Sequence, residues 1–294
     1  MRPLHLLAPL ATLALVAGTS EPVAPNIVSS VSLTTKDGFT LKGTLTLPPA
    51  KTGRKAAKAP VVILVHQFGA DRSGWTPLAE RLLARGIGTL AMDLRGHGES
   101  ITKGDATVKF TEDFVASAKA VGFEQIPADL TLSAEWLRKQ PGVDGRRIGL
   151  AGSSLGAFAV LLAAPAVKPL AVLCLSPAGA QAFGDGALDK MKDAVIQAKA
   201  TDLVLVSADD KEAFQNASAL KNLPGVDLNI KDGSDHGFAY LKDRSDLMAV
   251  FFGEYLEHHH TGETTPSEKK APASPKVIDH NPLSEKKAAE RPNP

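Results

Sequence analysis

The chain has 294 residues, 44% of them hydrophobic and 22% charged, and its 33 Lys and Arg against 32 Asp and Glu leave a formal net charge of +1. That is a soluble globular composition, and the balance argues against nucleic acid as a partner, because such affinity rests on an excess of Lys and Arg that displaces counterions. The one cysteine, Cys174, excludes an internal disulfide framework and any zinc site built on cysteines, and two Trp and two Tyr make no obvious sugar-stacking cleft.

Arg2 and His5 precede Leu6 to Ala17, a stretch apolar except for Thr12, which gives way to the small residues Gly18, Thr19 and Ser20. A charged start, a short apolar core and a small-residue exit predict a signal peptide over residues 1–20 and an exported protein, periplasmic or extracellular. The stretch is well short of the roughly 20 residues that span a bilayer, so no stable membrane insertion is expected after signal removal. At the other end, residues 258–294 form a Pro- and charge-rich tail. It holds six prolines and no aromatic residue, and from Glu257 onward six acidic residues balance six basic ones. Such a segment buries too little apolar surface to offset its ordering entropy, so a disordered tail is expected. Between the two ends, residues 21–257 make a single domain of 237 residues.

Within that domain, Val28 to Leu47 holds two alternating apolar runs around Lys36-Asp37-Gly38, which predicts a hairpin. Val61 to Val65 is continuously apolar, as a strand buried on both faces must be. Helical spacing at Leu78, Leu82 and Leu83 ends at Gly86, and a second buried strand follows over Ile87 to Met92. A helix around Leu130, Ala134 and Leu137 leads to a strand at Ile148 to Ala151. Further strands are expected over Leu170 to Leu175, Leu203 to Val206 and Val226 to Ile230, and a last helix runs through Leu247, Val250, Phe251 and Tyr255. This alternation predicts an α/β fold, a mostly parallel sheet with helices on both faces and its chemistry at the carboxyl ends of the strands.

At one such end stands Gly152-Ser153-Ser154-Leu155-Gly156, a G-x-S-x-G pentapeptide. Chance alone puts this pattern in roughly one chain of this length in ten, but here it sits between a strand and an apolar helix, the context its mechanics require. Glycine on either side lets strand and helix approach, and the turn exposes the Ser154 hydroxyl beside the Leu155 N–H. Serine needs a base. Of eight His, His5 falls in the signal and His258, His259, His260 and His280 in the tail. His66 ends a strand and His97 sits in a Gly-rich turn, leaving His236 in the loop before the last helix. A carboxylate must orient that base. Asp209 and Asp210 follow the Leu203 to Val206 strand; Asp210 is preferred, with Asp209 as a turn former or the cap of the next helix.

With these motifs in chain order, the sequence resembles the α/β-hydrolase superfamily, and within it the dienelactone hydrolase-like serine esterases. The resemblance covers Val28 to about Glu257. It rests on the hairpin with Asp37-Gly38, the His66-Gln67-Phe68-Gly69 segment, Asp93-Leu94-Arg95-Gly96-His97-Gly98, the Ser154 pentapeptide, and the Asp210 and His236 loops. It implies an α/β-hydrolase fold and a catalytic triad of Ser154, Asp210 and His236. It also implies an oxyanion hole from the Leu155 N–H and a donor after Val65, for which Phe68 is preferred and Gln67 is the alternative, since this chain has Gln67 where the family pattern has Gly.

Arg95 is expected to tie loops together, and Trp75, Phe68 and Phe238 either line an acyl pocket or pack. Only 27 residues, Ser176 to Asp202, separate two strands, so no large cap domain is expected, and the site should be shallow and roofed by Ser100 to Gln125. The function this implies is a secreted serine hydrolase cleaving a small carboxylic ester or thioester through an acyl-enzyme. An acyltransferase on the same triad and a non-catalytic envelope binding protein of the same fold are the alternatives. No cofactor or metal motif is found.

Overall fold

The computed structural model describes residues 25–49 and 58–257. The expected signal segment and tail lie outside these residues. The chain opens with β1 (Ile27–Thr34) and β2 (Phe39–Leu47), paired antiparallel across the turn that ends at Gly38. In β2 the buried residues alternate from Phe39 to Leu47, so one face of the hairpin enters the core.

The rest alternates strand and helix: β3 (Ala59–Val65), α1 (Thr76–Ala84), β4 (Gly88–Met92), the short β5 (Thr102–Lys103) and β6 (Ala106–Thr107), α2 (Phe114–Ser117), α3 (Ile126–Leu137), β7 (Val143–Ser153), α4 (Leu155–Val167), β8 (Ala171–Leu175), α5 (Ala187–Ala198), β9 (Thr201–Ser207), α6 (Lys211–Ser218), β10 (Val226–Lys231) and α7 (Leu241–Glu257). The order β10-β9-β8-β7-β3-β4 is parallel throughout, and β2 adds antiparallel to β4. Such parallel strands need crossovers, and helices supply them on both sides.

The alternation of side chains along each strand builds two cores. Val61, Ile63 and Val65 face α3, α4, α5 and α6, whereas Val62 and Leu64 face α1 and α7. Each strand residue buried this way contributes about 1.5–3 kcal/mol, which is why these strands read as unbroken apolar runs. Cys174, in β8, is fully buried, and that burial lifts its thiol pKa well above the usual range.

One strand is longer than its apolar run suggests. β7 starts at Val143 rather than Ile148 and takes in Asp144 and Arg147, both nearly buried. The Arg147 guanidinium satisfies itself there, donating to Asp144 Oδ2 (2.9 Å), to the Leu256 carbonyl (3.0 Å) and to the Lys58 carbonyl (2.8 Å). A polar strand start is therefore stable because its charges are paired, a condition that hydrophobic periodicity does not register.

Between β8 and β9 stand only a 3₁₀ turn, Ala180–Phe183, and α5, with no large cap. The segment from Ser100 to Gln125 forms the β5–β6 hairpin, α2, a π-helical turn at Ala118–Gly122 and a 3₁₀ turn. Its Phe110, Phe114 and Phe123 pack edge-to-face on Phe68, with ring centroids 5.1 to 6.0 Å apart.

Candidate active site

β7 ends at Ser153 and α4 begins at Leu155, so Ser154 makes the whole turn. Its φ of 53° and ψ of −114° lie outside the regions that L-residues favour, a strain of about 1–3 kcal/mol. The flanking glycines make the turn possible. A Cβ on Gly152 would stand 2.3 Å from the Gly156 carbonyl oxygen, and one on Gly156 would stand 2.4 Å from that of Val65. The strand, helix and β3 thus meet at backbone distance, as the pentapeptide's spacing predicts.

The Ser154 N–H donates to the Leu175 carbonyl (2.8 Å), anchoring the elbow to β8. Ser154 is half-buried and so reaches the surface, whereas Ser153 is fully buried and its hydroxyl donates to the Gln67 side chain. The Leu155 N–H, at the start of α4, has no partner among the described residues, as the first amides of a helix require.

The His236 loop follows β10 at the same edge of the sheet. There His236 Nδ1 lies 2.7 Å from Asp210 Oδ2, with the His side chain 39% and the Asp side chain 14% exposed. The bond occupies Nδ1 and leaves Nε2, on the other side of the ring, outside it. The structure brings Asp210, not Asp209, to the histidine. It also corrects the capping expectation: Asp210 itself occupies the N-cap position of α6 and makes no side-chain cap bond, because its carboxylate is taken by His236. Asp209 is exposed in the turn, its N–H donating to the Gly233 carbonyl (2.9 Å).

The other two domain histidines are structural. His66 is buried, with Nδ1 on the Gln67 carbonyl (2.7 Å) and Nε2 accepting from the Leu94 N–H (2.9 Å). His97 is buried and stacked on Phe110 at 4.3 Å. Desolvation holds both near pKa 4, so they stay neutral. Arg95 ties loops as expected, bidentate to Asp129 (2.6 and 2.7 Å) and reaching Asp37 (3.0 and 3.2 Å).

The loop after β3 is equally fixed. The Gln67 carbonyl faces both His66 Nδ1 and the Ala70 N–H (3.2 Å). A trans peptide is planar, so the Phe68 N–H on its opposite edge points away from those donors and has no acceptor among the described residues. Of the aromatic residues near this mouth, Trp75 is wholly given to packing, while Phe68 and Phe238 are half-buried. Trp75 is fully buried and meets Phe238 edge-to-face at 5.1 Å, and Phe68 is held in the cluster under the roof. The Gln67 side chain is a functional candidate that local sequence pattern does not single out, and its signal is a large amide where the family pattern has glycine.

Residues 62–265 match the model of the alpha/beta hydrolase family. The chain belongs to that family. Its fold is shared with a dienelactone hydrolase from Anabaena variabilis, at 23% identity and a TM-score of 0.58 over 79% of this chain and 99% of that one. An esterase from Pyrococcus furiosus is similar at 19% identity, TM-score 0.59, over 79% and 93% of the two chains. Acetyl xylan esterase 1 from a Thermoanaerobacterium is similar at 18% identity, TM-score 0.58, over 80% and 85%. At these identities the likeness to solved structures is one of fold. No curated protein matches the hydrolase in sequence.

Proposed function

We propose that this alpha/beta hydrolase is an exported serine esterase that cleaves small carboxylic esters or thioesters through an acyl-enzyme. The observation that carries the reading is the 2.7 Å bond between Asp210 and His236 at the sheet edge that also holds the strained Ser154 elbow. Ser154 Oγ attacks the acyl carbon while His236 Nε2 takes its proton, with Asp210 stabilising the imidazolium. The negative oxygen of the tetrahedral intermediate is received by the Leu155 and Phe68 N–H groups, neither of which has an acceptor among the described residues. Collapse expels the alkoxide or thiolate, which takes the proton from His236. Water, deprotonated by the same imidazole, then releases the acid. The absence of a large cap favours small or exposed esters over long lipids.

A fluorophosphonate probe tests this without knowledge of the substrate. Stoichiometric labelling of Ser154, lost in His236→Ala, is the expected result, together with hydrolysis of p-nitrophenyl acetate that disappears in Ser154→Ala. Full hydrolysis by the Ser154→Ala protein sinks the assignment. Export through residues 1–20 predicts a mature N-terminus near Glu21, which sequencing of the secreted protein reads directly.

A further inference from the structure

We propose that Gln67 is a positioning residue, whose side-chain oxygen locks the serine elbow and the histidine loop into one frame. The inference rests on the serine esterase reading and adds to it a part of the machinery outside the triad and the oxyanion donors. Gln67 Oε1 accepts from the Ser153 hydroxyl (3.0 Å) and from the Phe238 N–H (3.0 Å). Ser153 immediately precedes Ser154, and Phe238 follows His236 by two residues. A backbone N–H only donates, so the atom facing Phe238 is the amide oxygen, and two donors fill its two lone pairs.

The surrounding backbone is shaped around this bridge. Gly237 holds a φ of +53°, and a Cβ there would stand 2.3 Å from Gln67 Oε1 and 2.5 Å from Ser153 Oγ. Any side chain at Gly237 would therefore displace both partners. The far side of the loop is pinned as well, since a Cβ on Gly74 would stand 2.2 Å from the Phe238 ring, which also packs on Trp75. The Gln67 carbonyl is fixed by His66 in turn. One residue thus links the elbow, the histidine loop and the peptide that carries the Phe68 N–H. Because the bridging oxygen is neutral, it sets the spacing of Ser154 and His236 without placing a charge beside the imidazole.

Gln67→Met keeps the length of the side chain and removes the acceptor. Since small misplacement of reacting groups costs up to about a hundredfold, its kcat for p-nitrophenyl acetate should fall about 10- to 100-fold, with KM within about threefold. The fluorophosphonate should still reach full stoichiometry, at a rate lowered in parallel. Gln67→Glu restores the acceptor and should recover most of the lost kcat at high pH. Its negative charge near His236 should also move the acid limb of the pH profile upward. Ser153→Ala removes one arm only, with an expected loss of about three- to tenfold, and it carries the test if Gln67→Met does not fold. A Gln67→Met kcat within twofold of wild type, an unchanged Ser153→Ala kcat, or a Gln67→Glu enzyme as slow as Gln67→Met overturns the role. If Ser154→Ala is inactive in the same assay, only the Gln67 role has failed; if Ser154→Ala is active, the esterase reading has failed with it.

Discussion

At the carboxyl edge of the sheet, Ser154 and Ser176 hold φ of 53° and 50°, and polar side chains cross between loops, Asp210 to His236, Gln67 to Phe238 and Ser207 to Tyr240 (2.7 Å). At the amino edge the buried polar groups serve packing instead. Arg147 pins the start of β3 and the end of α7 to β7, while Asp202, at the second position of β9, is 1% exposed with neither carboxylate oxygen hydrogen-bonded. Burial alone raises its pKa to about 8. The difference teaches that strain persists where cross-loop bonds over-determine a geometry. An isolated buried acid has no such support, and it survives by holding its proton.

Breaking the carboxyl edge should cost activity and leave stability nearly untouched. Ser154→Ala is expected to lower turnover on the order of a millionfold, with an unchanged circular dichroism spectrum. Asp210→Asn should lower kcat on the order of 10⁴-fold, because the amide can present a donor to Nδ1 and so invert the imidazole tautomer. A steady-state assay with p-nitrophenyl acetate reads both, and activity within tenfold of wild type in either removes that residue from the reaction.

Breaking the amino edge should do the reverse. Arg147→Met removes the nearer of two guanidinium partners of Asp144, leaving Arg146, and takes the donors from the Leu256 and Lys58 carbonyls, a loss of about 1–3 kcal/mol in urea unfolding, with kcat per folded molecule unchanged. The amino edge also carries a pH dependence. Asp202 keeps its proton in the folded protein up to about pH 8, while the unfolded chain releases it near 3.8. The folded state therefore binds more protons in this window, and Asp202 should lower stability by up to about 1.4 kcal/mol per pH unit as pH rises from 4 to 8. His66 and His97 act with the opposite sign. Held near pKa 4, they stay neutral while the unfolded chain charges below 6.5, so their contribution is lost as pH falls from 6.5 to 4. Urea titrations from pH 4 to 9 should show a maximum near neutrality, and Asp202→Asn should flatten the alkaline side while steepening the acid side, where Asp202 opposes the two histidines. An unaltered alkaline slope in that variant assigns the slope to other groups.

Much of this was legible in the sequence because it rests on local rules. The apolar runs at Val61 to Val65 and Leu170 to Leu175 become buried parallel strands, and the glycines around Ser154 stand where the backbones of β7, α4 and β3 leave no room for a Cβ. Elimination among the histidines reaches His236, the one found against the Asp210 carboxylate. What escaped depended on partners far away in the chain. The polar start of β7 is stabilised by Leu256 and Lys58.

The sequence by itself determined the hydrolase fold, the order of its motifs and the serine elbow, since periodicity, glycine placement and strand-turn-helix context act over a few residues. Only the tertiary structure decided that Asp210 meets His236 while also standing at the cap of α6, and that Gln67 joins loops 86 and 171 residues away. A side chain's acceptor is chosen by what the folded backbone brings within about 3 Å, and no local pattern encodes that distance.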